Sequence, residues 1–487
     1  MEEKRVRTRM APSPTGEYHI GHIRTLLYNW AFAKKYNGDF ILRIEDTDRE
    51  RFVAGATDRI LEVIKSYGLV WDEGPQVGGP HEPYFQSQRL EIYQKHAQIL
   101  LDKGAAYYCF CTEERLEKMR EEQKARHVVS TKYDRLCLKL DKSEIEKKLK
   151  DKVPYVIRMK VPDNKEITFN DLVIGDISVP SSDIDDQVLI KSDGFPTYHF
   201  AVVIDDHLME ISHVMRGNDW IPSTPKHVLL YQAFGWDMPY FAHIPNLKEM
   251  GAGKKLSKRF GAVAAKEFLD EGYLPEAVLN FLMFLGWNPG TDKEIYTLNE
   301  FVKDFSIEKI HKTDLVAFDR NKLLWMNSQY IQKSQISDLP DGKAGLKSQI
   351  FKFFGGKYDA AVIEKILPLL QTRIKTLKEF ADLAGFFFEK PKVDKKILSN
   401  NWKNHLSMAV EVLESLEKWG KSDIDEGLLS AVKEKNFKTG EFFMDFRIAV
   451  TGSKFTPPIN ESIVILGKYE VLKRLKAVLG SKSNIKY

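Results

Sequence analysis

The sequence predicts an α/β unit built on a parallel sheet, followed by an all-α unit. A strand–helix–strand pattern occupies roughly the first 45 residues, and a strand–crossover–strand of that length forces parallel pairing. Beyond Arg320 the apolar residues recur at helix-like intervals. The chain has 487 residues, of which 43% are hydrophobic, enough for three to four domains of about 100–200 residues.

Val6–Ala11 alternates and suits a strand, which Pro12-Ser-Pro-Thr-Gly16 stops. A helix is expected from Ile20, with Ile23, Leu27, Trp30 and Ala31 on one apolar face. Asn37-Gly38 supplies a left-handed cap, and Asp39–Ile44 is the second strand. Ligands of such sheets bind beyond the carboxyl ends of the strands. Two segments lie there: the loop after Ala11 and Glu45-Asp-Thr-Asp48. Later, Leu369, Ile374, Leu377, Phe380, Leu383 and Phe387 mark helices at imperfect spacing. Residues 331–400 carry thirteen Lys+Arg and eight Asp+Glu, a bias of +5 that suits RNA phosphates.

The composition excludes wholesale disorder, a collagen helix and a disulfide scaffold. Lys+Arg number 73 against 69 Asp+Glu, and a net charge of +4 neither demands nor excludes a nucleic-acid partner. The three cysteines all lie between Cys109 and Cys137, which fits a reducing compartment. No stretch of about 18 uncharged apolar residues appears, and no signal peptide. A cytoplasmic protein without a membrane span is expected.

Two motifs carry the chemistry. His19-Ile-Gly-His22 opens the predicted helix, where unpaired N–H groups and the helix dipole suit phosphate. Gly21 lets a ligand approach the backbone. Alone, the tetrapeptide reads equally as two surface histidines. Far downstream, Gly251-Ala-Gly-Lys-Lys-Leu-Ser-Lys-Arg259 joins glycines to four cations; alone it reads as a solvated basic loop. Neither a G-x-G-x-x-G nor a G-x-x-x-x-G-K-[ST] string occurs.

Together, in this order, the pair resembles the HIGH and KMSKS signatures of class I aminoacyl-tRNA synthetases. Arg9-Met-Ala-Pro-Ser-Pro-Thr-Gly16, Arg43-Ile-Glu-Asp-Thr-Asp48, Asp72-Glu-Gly-Pro75, Pro196-Thr-Tyr-His199 and Phe234-Gly-Trp236 narrow it. They resemble the bacterial-type glutamyl-tRNA synthetase family, most strongly up to about residue 330. The resemblance implies a Rossmann-like class I catalytic domain with an α+β insertion, a stem-contact region and a C-terminal all-helical anticodon-binding domain. The implied bounds are 1–93 and 187–245 for the catalytic halves, 94–186 for the acceptor-end insertion, 246–325 for the KMSKS loop and stem-contact region, and 326–487 for the anticodon domain.

The implied reaction joins L-glutamate to ATP with Mg2+ and moves the acyl group to tRNA(Glu). His19, His22, Lys255 and Lys258 would stabilise the phosphate charge. Gly21, Asp219 and Leu247 match positions that meet ATP. Glutamate has two carboxylates and one ammonium, so its pocket needs two cations and an anion. Arg9, Arg216 and Glu45 stand at likely strand ends, and the family uses matching positions together with Ala11, Ser13 and Tyr198. Which arginine takes which carboxylate is not legible. Arg373 matches a position where some relatives read the third anticodon base.

Cys109-Phe-Cys111 and Cys137 suggest a structural zinc site, since some relatives bind zinc with C-x-C and a distant cysteine. The histidine such relatives carry two residues after the last cysteine is replaced by Lys139, leaving Tyr133 or His127 as fourth ligand. Three plain thiols are the competing reading. The expected partners are tRNA(Glu), with tRNA(Gln) left open, L-glutamate and ATP. No DNA or membrane partner is expected, and the family is usually monomeric. A non-discriminating synthetase, a catalytically inactive tRNA-binding protein and a cytidylyltransferase are the alternatives.

Overall fold

The computed structural model describes residues 5–48, 50–128, 130–251, 256, 263–340 and 343–480. The chain forms two compact units. The first comprises residues 1–267 and 279–319, and the second 268–278 and 320–487.

In the first unit, strands β1 (Arg7–Met10) and β2 (Asp39–Leu42) pair in parallel around helix α1 (Ile20–Lys35). Strands β8 (His213–Gly217) and β9 (Tyr240–Ile244) form a second parallel pair. The two pairs are joined where Ser212 N donates to Arg7 O at 3.0 Å and Arg7 N to Ser212 Oγ at 2.7 Å. Four parallel strands thus end on one edge, in the order β2, β1, β8, β9. Their buried residues read Phe40-Ile-Leu42 and Val214-Met215, near-continuous apolar runs as expected of strands covered on both faces.

The α1 helix ends as the sequence suggests, with the roles of two residues divided. Asn37 takes the left-handed conformation at φ 51°. Gly38 is required by proximity instead: a Cβ there would lie 2.0 Å from Val6 O. Strand β2 stops at Leu42, two residues short of expectation, and Ile44 bridges to Phe85.

Between β2 and β8 run helices α2 (Ala56–Ser66) and α3 (Leu90–Asp102), then the inserted elements. Strands β3 (Ala106–Cys109), β4 (Val156–Met159) and β7 (Val188–Ile190) make an antiparallel sheet, flanked by α4 (Glu113–Ala125) and α5 (Lys142–Lys150). The hairpin β5 (Glu166–Asp171) and β6 (Gly175–Pro180) joins the parallel sheet through Asp171 opposite Phe241. One apolar core therefore runs from Ala106 and Met159 through Phe169 to Val214 and Phe241. Helices α6 (Tyr198–Leu208) and α7 (Thr224–Phe234) cover it. Strands β10 (Asn246–Glu249) and β11 (Leu315–Phe318) pair in parallel.

The second unit is helical apart from its connections. Helices Leu346–Phe353 and Ala360–Leu370 pack around Ile350, Ile363, Leu367 and Phe380. Helices Trp402–Ser415, Lys421–Glu434, Thr439–Thr451, Ile459–Leu466 and Lys468–Leu479 enclose a second core around Leu406, Phe446 and Leu475. The imperfect apolar spacing near Ile374 has a cause: residues 371–378 are turns between two helices, not one helix. Among the described residues, no helix is long and apolar enough to cross a membrane.

Candidate active site

The site lies on the carboxyl edge of the parallel sheet. His19 caps α1: Gly21 N donates to its Nδ1 at 3.0 Å. With Nδ1 accepting, the neutral ring carries its proton on Nε2, which makes that nitrogen a donor. The His19 and His22 rings lie 6.1 Å apart, edge to face. No acidic residue occupies the first turn of α1, so its positive end is not offset there.

Leu247 adjoins this helix start; a Cβ on Gly21 would meet its Cδ1 at 3.7 Å. Gly217 ends β8 without a side chain because Asp219 Oδ1 and Asn246 Oδ1 crowd it, 2.4 and 2.9 Å from where a Cβ would stand. Asp219 itself is exposed. Both flanks of the basic loop reach the same place. Leu256 N donates to Leu247 O at 3.1 Å, while Ile20 N donates to Val263 O at 2.9 Å and Ala265 N to Tyr18 O at 2.7 Å. Lys255 and Lys258 lie outside the described residues.

Beneath the helix start sits a buried ionic cluster. Arg9 binds Asp206 through Nε and Nη2 at 3.1–3.2 Å. Arg43, fully buried, reaches Glu45 at 3.1 Å, Asp206 at 2.9 Å and Asp205 at 3.6 Å. Arg89 pairs with Asp205 at 2.8 Å. Three guanidiniums thus face three carboxylates. Burial alone would raise the Asp206 carboxyl, but the charges of Arg9 and Arg43 prevail and hold it below the usual range. Glu45 fares differently: burial pushes it up to about 7 against the pull of Arg43 and Arg9.

Arg216, at the end of β8, is the exception to this balance. It is 5% exposed, yet its partners are neutral. Nε donates to His243 Nε2 at 3.1 Å, Nη1 meets His227 Nδ1 at 3.2 Å, and Nη2 donates to Thr224 Oγ1 at 2.8 Å. Burial and then the Arg216 charge depress His227, and burial with the charges of Lys226 and Arg216 takes His199 down to about 4. No carboxylate bonds to Arg216 among the described residues. The Tyr198 phenol is the common neighbour of these groups: burial, then the Glu45 charge, raises it to about 12 against Arg216 and Arg9. Ala11 and Ser13 lie in the loop between β1 and α1, and Ser13 is exposed.

With Glu45 ionised, Arg9, Arg43 and Arg89 are met by Glu45, Asp205 and Asp206, whereas Arg216 touches no carboxylate among the described residues and is separated from Asp171 by His243. A buried unpaired cation is costly, so the arrangement suits a ligand that brings one net negative charge. An α-amino acid with a side-chain carboxylate has that charge.

Two family models match the chain: tRNA synthetases class I (E and Q), catalytic domain, over residues 5–325, and the anticodon binding domain over 345–479. The glutamate–tRNA ligase of Clostridium tetani is 45% identical over 98% of this chain and 98% of its own length. That of Clostridium novyi is 44% identical, with 98% of each chain covered. The chain belongs to the glutamate–tRNA ligase family. A crystal structure of a glutamate tRNA ligase from Elizabethkingia meningosepticum, in complex with its amino acid, matches with a TM-score of 0.86. It is 37% identical, and the match covers 98% of this chain and 99% of that one. A glutamate–tRNA synthetase from Elizabethkingia anophelis matches with a TM-score of 0.84 at 35% identity, over 98% and 100% of the two chains.

For a ligase of this family, the structure brings together Arg9, Glu45, Tyr198 and Arg216, and separately His19, Gly21, His22 and Leu247. Sequence reasoning missed Asp205, Asp206 and Arg43, which hold the pocket, and the His227–His243–Thr224 cradle. Two adjacent acids in the apolar run Phe200–Ile204 and onward were a usable signal, because buried carboxylates need partners.

The thiol sulfurs of Cys109, Cys111 and Cys137 all lie within 4.8 Å of one another. Tyr133 Oη is 3.3 Å from Cys111 Sγ and accepts from Cys137 N at 2.9 Å. His127 is exposed, at φ 61°. The contacts therefore favour Tyr133 over His127 as the fourth group. The hydrogen bond between Cys109 and Cys137 lowers the first thiol and raises the second, so the pair gives up one proton readily.

In the helical unit Arg373 is exposed on the turn after Ala360–Leu370. Arg447 lies near it: burial, then the Arg373 charge, lowers the Arg447 guanidinium. Its Nε is buried with no hydrogen-bond partner among the described residues.

Proposed function

We propose that this ligase activates L-glutamate with ATP and transfers the glutamyl group to the 3′ end of tRNA(Glu). The observation that carries the reading is Arg216, a buried cation whose direct partners are neutral. L-Glutamate neutralises that charge, and glutamine does not. Its side-chain carboxylate would bind Arg216 end-on, its ammonium Glu45, and Arg9 with Tyr198 would orient the amino-acid end. Leaving Arg216 unmatched is what penalises an amide side chain.

In the first step an α-carboxylate oxygen attacks the α-phosphorus of ATP, and pyrophosphate leaves. In the second a hydroxyl of the tRNA's terminal ribose attacks the acyl carbon, and AMP leaves. His19 Nε2–H and the start of α1 would donate to phosphate oxygens, with His22, Lys255 and Lys258 adding charge. Gly21, Leu247 and Asp219 border the space for the nucleotide. Mg2+ accompanies ATP and neutralises its phosphates. Cys109, Cys111, Cys137 and Tyr133 would hold a structural zinc ion. Arg373 would meet the anticodon, where exposed bases present their edges.

Aminoacylation with radiolabelled glutamate, on purified tRNA(Glu) and tRNA(Gln) side by side, tests this. Charging of tRNA(Glu) is expected. Charging of both would mean a non-discriminating enzyme. Bound but uncharged tRNA would overturn the assignment.

A further inference from the structure

Arg216 needs an acceptor on its Nε side, and that acceptor is an imidazole with two possible tautomers. Asp171 decides which one is present. Its Oδ2 lies 2.7 Å from His243 Nδ1 and accepts from His243 N at 3.1 Å, while Oδ1 accepts from Val173 N and Ile174 N at 3.0 Å each. Asp171 and His243 are each 1% exposed. A carboxylate against Nδ1 puts the ring proton there and leaves the Nε2 lone pair to Arg216. Thr224 does not compete as donor, since its hydroxyl donates to Trp220 O at 3.1 Å. The opposite tautomer would set an N–H against the Arg216 Nε–H.

We propose that Asp171, carried by the inserted hairpin, is a positioning residue for amino-acid recognition: it fixes the His243 tautomer that holds the Arg216 fork toward the substrate side chain. The outer N–H groups of Arg216 are thereby tied to His243, His227 and Thr224 with no carboxylate in direct contact. The guanidinium keeps its full charge and a fixed plane for an incoming carboxylate. This rests on the reading of Arg216 as the ligand of the glutamate side chain.

Asp171→Asn is a sharp test. The amide oxygen is retained where Val173 and Ile174 donate, which turns the NH2 toward His243 Nδ1. The ring then moves its proton to Nε2, against Arg216. The KM for glutamate in tRNA(Glu) charging is expected to rise on the order of 10- to 100-fold, with the KM for ATP within about twofold. The 15N signals of His243, assigned by their loss in His243→Gln, should exchange their protonated and unprotonated positions. In His243→Gln the side-chain oxygen accepts from Arg216 while its NH2 donates to the Asp171 carboxylate, so the amide repeats the polarity of the native ring. In His243→Leu no tautomer remains to be set, so Asp171→Asn should add little in that background.

An unchanged glutamate KM overturns the proposal. So does an equal rise in both KM values, or an Asp171→Asn effect that persists in full beside His243→Leu. If Asp171→Asn does not fold, His243→Gln against His243→Leu carries the test: the second should raise the glutamate KM well above the first, and equal values overturn the proposal. Wild-type protein that charges no glutamate would instead overturn the reading of Arg216 itself.

Discussion

Replacing Glu45 by glutamine separates binding from folding. The carboxyl is 4% exposed, and burial lifts it from 4.5 to about 7. Between those values the folded protein retains a proton that the unfolded chain has released. The stability this group contributes is thus present below pH 4.5 and lost as pH rises through about 7. The shift corresponds to about 3 kcal/mol. Glu45→Gln resembles the protonated state at every pH, so it should stabilise the fold by up to about 3 kcal/mol at pH 8 and by little at pH 4. Arg43 keeps Asp205 and Asp206 as partners, so the variant leaves no orphaned cation.

Binding moves the other way. The substrate ammonium requires the ionised carboxylate, so the wild-type KM for glutamate should rise about tenfold from pH 8 to pH 6. Loss of this buried charge pair should raise the KM at pH 8 by about 30- to 1,000-fold and flatten its pH dependence. The KM for ATP should stay within about twofold. Steady-state charging of tRNA(Glu), with urea unfolding at both pH values, gives the two readouts. A glutamate KM within twofold of wild type, or a wild-type profile flat from pH 6 to 8, would refute the reasoning.

Lys258→Ala should abolish adenylate formation while tRNA binding persists; unchanged turnover would remove the loop from the chemistry. Arg9→Ala should raise the glutamate KM far more than the ATP KM. It should also destabilise the fold by about 3–5 kcal/mol, because Asp206 loses one of its two cations; equal KM changes would deny a carboxylate role. Protein purified without chelator should contain stoichiometric zinc by elemental analysis, and Cys137→Ser should lose it. Equal zinc in both proteins would leave the cysteines as plain thiols.

Much of the site was legible because its residues stand at strand ends. Arg9, Glu45 and Arg216 follow or close runs whose alternation or apolarity marks strands, and parallel strands deliver their ends to one edge. His19 was legible as the first residue before an amphipathic helix. What could not be read are contacts closed over long separations. Asp171 and His243 are 72 residues apart, and Arg9 and Asp206 are 197 apart, with no local pattern at either end. Arg43 follows the short apolar run Phe40–Leu42 with nothing local to mark it, though it is the hub of the cluster and fully buried. In the helical unit, the interval from Leu369 to Phe380 misleads because a turn interrupts the helix, and periodicity carries no information across a turn.

The central claim is that the amino acid is selected through Arg216, a buried cation that no carboxylate of the described residues contacts. A crystal structure with L-glutamate bound tests it most directly. The account predicts the side-chain carboxylate within about 3 Å of both terminal nitrogens of Arg216, and the ammonium against Glu45. A glutamate side chain bound to Arg9 or Arg43, with Arg216 touching no ligand atom, would contradict it.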